Sequence, residues 1–306
     1  MSADRPEAAR TYEVRHRTHY RYDKVVTGSY GRTHLTPRDL PTQSCASARL
    51  EIEPTPDLTS SHIDHFGNAS HYVEVRSPHT ELVITSISTV TVHRPVPDLA
   101  RLDEWTVGSA AAAHSQAADR LDAVTYALPS RLVTLTPSVA AYAGSILGTD
   151  RPLGEALAAL VHGIHDGFTY ESGATSVSTT LDELLEDRAG VCQDFAHLAI
   201  GCLRSVGLPA RYVSGYLETR PPAGTPRLQG ADASHAWLSV LAPDGEWYDL
   251  DPTNDQQPDS RYVVAAWGRD YRDVTPMKGV IFTQGKKSTL DVGVDVIRLG
   301  DALPGL

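Results

Sequence analysis

Between residues 11 and about 95, apolar and polar side chains alternate in short runs. Tyr12-Glu13-Val14-Arg15, His19-Tyr20-Arg21-Tyr22, Ala48 to Glu53, His71 to Val75 and Leu82 to Val92 all read as strands. Turn signals separate them: Thr36-Pro37-Arg38-Asp39, Pro54-Thr55-Pro56-Asp57 and Phe66-Gly67-Asn68. Period-two runs punctuated this often predict an antiparallel β-sandwich over residues 1–100. After Pro95 and Pro97 the chain turns Ala-rich and polar, and 101–136 reads as a linker with some helix.

The period lengthens from residue 137. Pro137 to Leu147 and Pro152 to His165 each begin with proline, which suits the first turn of a helix. Leu181 to Asp187 follows. The next helix is the best defined: Val191, Phe195, Leu198, Ala199, Cys202, Leu203 and Val206 form one apolar stripe, and Gly207 and Pro209 end it. Strands are predicted at Ala210–Leu217, His235–Leu241 and Trp247–Asp251, with a turn at Pro243-Asp244-Gly245. Alternation returns from Val280 and over Leu290 to Leu299, which places C-terminal strands in a second unit spanning 137–306. Helices followed by a block of strands make the class α+β.

Composition narrows the partners. The net charge of −11 argues against nucleic acid or an anionic membrane surface. Three cysteines, Cys45, Cys192 and Cys202, are no disulfide framework and fit a reducing compartment. The first residues contain no apolar core of a secretory signal, and no run approaches the roughly 18 apolar residues of a membrane span. The expected address is therefore the cytoplasm. Nothing in the pattern speaks to oligomeric state.

Cys192 is where chemistry enters. It stands where Arg188-Ala189-Gly190 meets the start of the buried helix. The N–H groups and dipole of a helix N-terminus favour a thiolate and can hold an oxyanion beside it. Cys202 lies about 80° away, on the apolar stripe, and reads as core; Cys45 reads as strand packing. A thiolate nucleophile needs a base. His235 opens a strand directly after the loop Gly230 to Ser234, whereas His197 sits about 140° around the helix from Cys192. The base needs an orienting acceptor. Asp251 ends the following strand and can supply it, and Asp249 shares its face by alternation.

Metal readings are weak. His162 and His165 share a helical face, but no HExxH pattern accompanies them. Asp249 to Ser260 is acidic, yet Thr253, Asn254 and Ser260 break the calcium-loop template.

Longer motifs add a family. Gly190 to His197, Arg204 to Tyr216, Asp232-Ala233-Ser234-His235-Ala236-Trp237 and Asp251-Pro252-Thr253-Asn254 resemble the core of the transglutaminase-like superfamily. His19 to Tyr22, Leu35 to Arg38 and Asp64 to Asn68 resemble the N-terminal β-domain of its bacterial members, and Gly268 to Val274 is similar to a segment that follows the core there. Ala266-Trp267 and Thr275-Pro276 depart from the usual pattern without touching the motifs above.

The resemblance implies a papain-like core, with a nucleophile helix packed on an antiparallel sheet. It assigns Cys192 as nucleophile, His235 as base and acid, and Asp251 as the orienting acid. The implied reaction is attack on a glutaminyl or peptide amide of a protein or peptide. It passes through a thioester that water or a primary amine resolves, with no metal or organic cofactor. Tyr170 and Gln193 are candidate second oxyanion donors, with packing as the other reading of Tyr170. Trp237 and Trp247 either shield the His–Asp pair or only pack. Two other functions share the same residues: a catalytically silent binding module, and a small-molecule acyltransferase.

Overall fold

The computed structural model describes residues 8–116, 121–171, 179–219 and 234–300. The loop expected just before His235 and the extreme N-terminus lie outside them.

One strand organises the N-terminal part. β1 (Arg10–Thr33) runs for 24 residues, followed by β2 (Gln43–Glu53), β3 (Leu58–Ile63), β4 (Ala69–Val75) and β5 (His79–Val92). β5 and then β4 follow β1 antiparallel, and β2 and β3 pair with them in turn. The strand breaks at 54–57 and 76–78 fall level with a register irregularity in β1 between Arg21 and Val26. Leu35, Val73, Val75, Leu82 and Ile84 form a buried cluster there, with Tyr20 and Tyr22 packed on it. The expected sandwich is thus one continuous sheet with β1 running through both halves.

The stretch expected to be a linker belongs to the second unit. A short 3-10 helix (Leu99–Glu104), α1 (Val107–Gln116) and α2 (Leu121–Ala127) occupy it. Leu102, Val107, Ala110 and Val133 lie in the same buried cluster as the later helices. Their small and branched side chains provide an apolar face that proline and alanine counts had masked.

Then come α3 (Pro137–Leu147), α4 (Leu153–Gly167), β6 (Thr169–Tyr170), α5 (Leu181–Asp187), β7 (Ala189–Gly190) and α6 (Cys192–Ser205). Every residue of α6 from Asp194 to Arg204 is buried, so it is a central helix, wrapped beyond one stripe. It packs on a four-stranded antiparallel sheet in the order β10-β9-β8-β11, where β8 is Ala210–Leu217, β9 Ser234–Leu241, β10 Trp247–Leu250 and β11 Tyr262–Gly268. β11 was not anticipated, although Tyr262 to Trp267 is an unbroken apolar run of the kind a buried strand shows.

The C-terminal strands correct the expected domain division. β12 (Met277–Thr283) and β13 (Ser288–Leu299) pair with β1, not with the core sheet. β5 and β4 fill one edge of β1, and β13 and β12 fill the other. Val294 and Val296 complete a cluster with Tyr12, Val14, Val90 and Val92, which also takes Tyr216, Val263 and Ala265 of the core sheet. The core sheet therefore lies between the helices and the N-terminal sheet. Among the described residues, no helix is long and apolar enough to cross a membrane.

Candidate active site

Cys192 occupies the first position of α6. Val191 before it is extended, and the Asp194 carboxylate accepts from the Val191 N–H at 2.9 Å. The first N–H groups of a helix have no acceptor within it, and Cys192 and Gln193 contribute two of them. Space is tight at Gly190. A Cβ on it would lie 2.9 Å from Leu184 Cδ1 and 3.0 Å from Asp194 Oδ2.

His235 is the second residue of β9, opposite Gly215 of β8. Its Nε2 donates to Asp251 Oδ2 at 2.7 Å, and the Cys192 side chain hydrogen-bonds the ring. With Nε2 committed to the carboxylate, Nδ1 is the nitrogen left for the thiol. Burial pulls the imidazole pKa down. The hydrogen bonds and charges of Asp251 and Cys192 outweigh it and push the pKa up to about 10. Trp237 stacks beside the ring at 6.1 Å between centroids and is fully buried. Gly215 makes its space, since a Cβ there would come 2.6 Å from the indole.

Asp251 follows β10 and is fully buried. Oδ1 accepts from the N–H groups of Thr253 (2.9 Å) and Asn254 (3.3 Å). Besides His235, Oδ2 accepts from Asn254 Nδ2 and the Tyr262 hydroxyl, each at 2.7 Å. Burial alone would raise the carboxyl's pKa, but His235 and these donors outweigh it and hold the group below the usual carboxylate range. Burial and the Asp251 charge push the Tyr262 phenol upward, so it stays protonated and donates.

Helix α4 braces the turn after Asp251. His165 Nδ1 donates to the Thr253 carbonyl at 3.0 Å, and His162 pairs with Asp255 at 2.9 Å and with Asp166 at 3.2 Å. The histidines weighed above as metal ligands are engaged in this contact. Among the described residues, no group of three or more His, Cys, Asp or Glu side chains is arranged to hold a metal ion.

The structure separates the two aspartates that alternation left equivalent. Asp249 accepts from the Ser239 hydroxyl and pairs with Arg94 at 3.5 Å, so it turns away from His235. His197 accepts from the Tyr271 N–H at 3.1 Å, on the far side of α6. Cys202 is fully buried, with its thiol pushed up to about 12 by burial. Trp247 packs edge-on against Tyr126 and stacks with Arg211, while Trp237 alone of the two tryptophans borders His235. Tyr170 is 53% exposed, lies edge-on to Phe195, and pairs across from Gly190. Gln193 is half-buried beside Cys192. Sequence reasoning passed over Tyr262, and it left Asn254 without a role at the site. The apolar run of β11 was the available signal for Tyr262.

The family model described as the bacterial transglutaminase-like N-terminal region matches residues 12–91, and that of the transglutaminase-like superfamily matches 140–252. An uncharacterized protein of Mycobacterium tuberculosis is 47% identical over 95% of this chain and 94% of its own length. A protein-glutamine gamma-glutamyltransferase of Pseudomonas aeruginosa is 34% identical over 31% of this chain and 15% of its own. The crystal structure of a candidate cysteine protease from Cytophaga hutchinsonii superposes with a TM-score of 0.76 at 20% identity, covering 96% of this chain and 92% of that one, a likeness of fold.

Proposed function

The chain belongs to the bacterial transglutaminase-like superfamily, whose chemistry is cysteine-based action on amides, and on that premise we propose that it forms a thioester on Cys192 from a glutaminyl or peptide amide. The observation that carries the reading is the double engagement of His235, which bonds Asp251 through Nε2 at 2.7 Å and also meets the Cys192 side chain.

The Cys192 thiolate attacks the amide carbon, and negative charge collects on its oxygen. The N–H groups at the start of α6 stabilise that oxyanion, with Gln193 or Tyr170 as the second donor. The imidazolium of His235 protonates the amine as the C–N bond breaks, leaving the thioester. Water or a primary amine then gives up a proton to His235 and attacks the acyl carbon, releasing a carboxylic acid or a new amide. Asp251 holds the ring and stabilises its charged form throughout. The substrate class, a protein or peptide, follows from the family's amide chemistry.

Intact-mass analysis with a library of glutaminyl and peptide amides tests this. The expected result is an acyl adduct on the wild-type chain that water or an added primary amine discharges. Cys192→Ala should fold and show no adduct; an adduct that survives the substitution refutes the assignment.

A further inference from the structure

Strand β11 lies at one edge of the core sheet, so its outward N–H and C=O groups need partners from elsewhere. Two side-chain amides of the N-terminal part supply most of them, and the Arg38 N–H also donates to the Val264 carbonyl at 3.1 Å. Gln43 donates to the Val264 carbonyl at 2.8 Å and accepts from the Val264 N–H at 2.7 Å. Asn68 does the same for Trp267, with both bonds at 2.9 Å. Each amide stands in for a residue of a neighbouring strand. On either side of Val264, Val263 and Ala265 are packed in one cluster with Tyr12 and Val14 of β1. The register of β11 is thus set from outside the core.

The first residue of β11 is Tyr262, fully buried, with its ring 5.9 Å from that of His235. Its hydroxyl donates to Asp251 Oδ2 and in turn accepts from Gln256 Nε2. We propose that Tyr262 is a positioning residue that holds the Asp251 carboxylate in line with the His235 ring, and that the Gln43 amide, by fixing β11, holds Tyr262 in place. This rests on the reading of Cys192, His235 and Asp251 as the reacting set. Apart from His235, the other donors to the carboxylate belong to its own turn, Thr253 and Asn254, and shift with it. Tyr262 adds a third donor on Oδ2 from a separate strand, which ties the carboxylate to the core sheet. It also gives the N-terminal sheet a task in the reaction beyond covering the core. The titratable groups around the carboxylate, among the described residues, are His235 on β9, Tyr262 on β11 and, through the ring, Cys192 on α6.

The test uses the full chain and the rate of alkylation of Cys192 by iodoacetamide as a function of pH, beside a thermal melt. Tyr262→Phe keeps the ring and removes the donor. It should slow alkylation at neutral pH by roughly tenfold, the weight of one hydrogen bond to a charged group, and move the acidic limb upward. Gln43→Glu keeps the acceptor for Val264 and loses the donor. It should change the profile in the same direction, less strongly, at temperatures where the melt shows the chain fully folded. The double variant should be no slower than Tyr262→Phe alone, since both act through one hydroxyl. An unmoved profile in Tyr262→Phe, or full additivity in the double variant, overturns the inference; should Tyr262→Phe not fold, an unmoved profile in folded Gln43→Glu does so. A wild-type Cys192 no more reactive than an ordinary thiol overturns the functional reading beneath it instead.

Discussion

Five donors converge on the two oxygens of Asp251, more than the roughly four lone-pair sites of a carboxylate, so its accepting capacity is filled. Asp249, two residues earlier, has Arg94 and Ser239 for partners. Asp251→Asn should therefore reduce turnover by about 10²–10⁴-fold, while Asp249→Asn costs far less; steady-state rates on one amide substrate decide it, and the opposite ranking would move the role to Asp249. The pH dependence has a definite sign. The imidazole of His235 is raised from 6.5 to about 10, so its contribution to stability is complete below about 6.5 and lost as pH climbs through 10. Asp251 is lowered, so its contribution is present above the ordinary carboxylate range and lost on acidification. His16 and His197 act differently. Burial lowers both from 6.5 to about 4, so each must be neutral in the folded chain. Stability should fall as pH drops from about 6.5 towards 4, by up to about 3 kcal/mol for each of them. Urea melts across that range check this, and His16→Asn should flatten the slope.

The nucleophile owes its setting to how one helix begins. A glycine admits the cap, an aspartate at the third position closes it, and Cys192 follows an extended residue into the first turn. Asp194→Ala should destabilise the chain by about 1 kcal/mol and slow alkylation of Cys192 together, because the same turn aims the N–H groups. A loss of stability with alkylation unchanged would separate the two. The periodicity of α6 was legible from its apolar residues. Its buried polar ones were not, since their partners come from far along the chain. Arg204 donates to the Arg269 carbonyl, and His197 takes the Tyr271 N–H. The Gly268 to Val274 motif is thereby tied under the nucleophile helix, and a Cβ on Gly268 would come 2.5 Å from Asp273.

In the whole molecule the two sheets and the helices share their cores. Arg38 and Arg211 stack on Trp267 at 3.6 and 3.7 Å, and Arg211 also lies over Trp247 at 4.1 Å. This stack joins the N-terminal sheet to the core sheet. β12 and β13 bind the end of the chain to its beginning along most of β1. Truncation after Pro276 should thus abolish cooperative unfolding, since Val294 and Val296 leave the cluster around Tyr12 and an edge of β1 opens. Circular dichroism melts of the truncated chain check it; a native-like transition would mean that the core folds without them.

Local order was readable because it depends on neighbours. Alternation marked the strands of the N-terminal sheet, helical spacing and flanking prolines marked α3, α4 and α6, and the motifs around Cys192, His235 and Asp251 carried the family. What depends on contacts between distant residues had to wait for the tertiary structure. Strand alternation looks the same whichever partner a strand takes, so it left open that β12 and β13 belong to β1. It also gave Asp249 and Asp251 one face, and only the turn after β10, braced by α4 and β11, sets one of them against the imidazole.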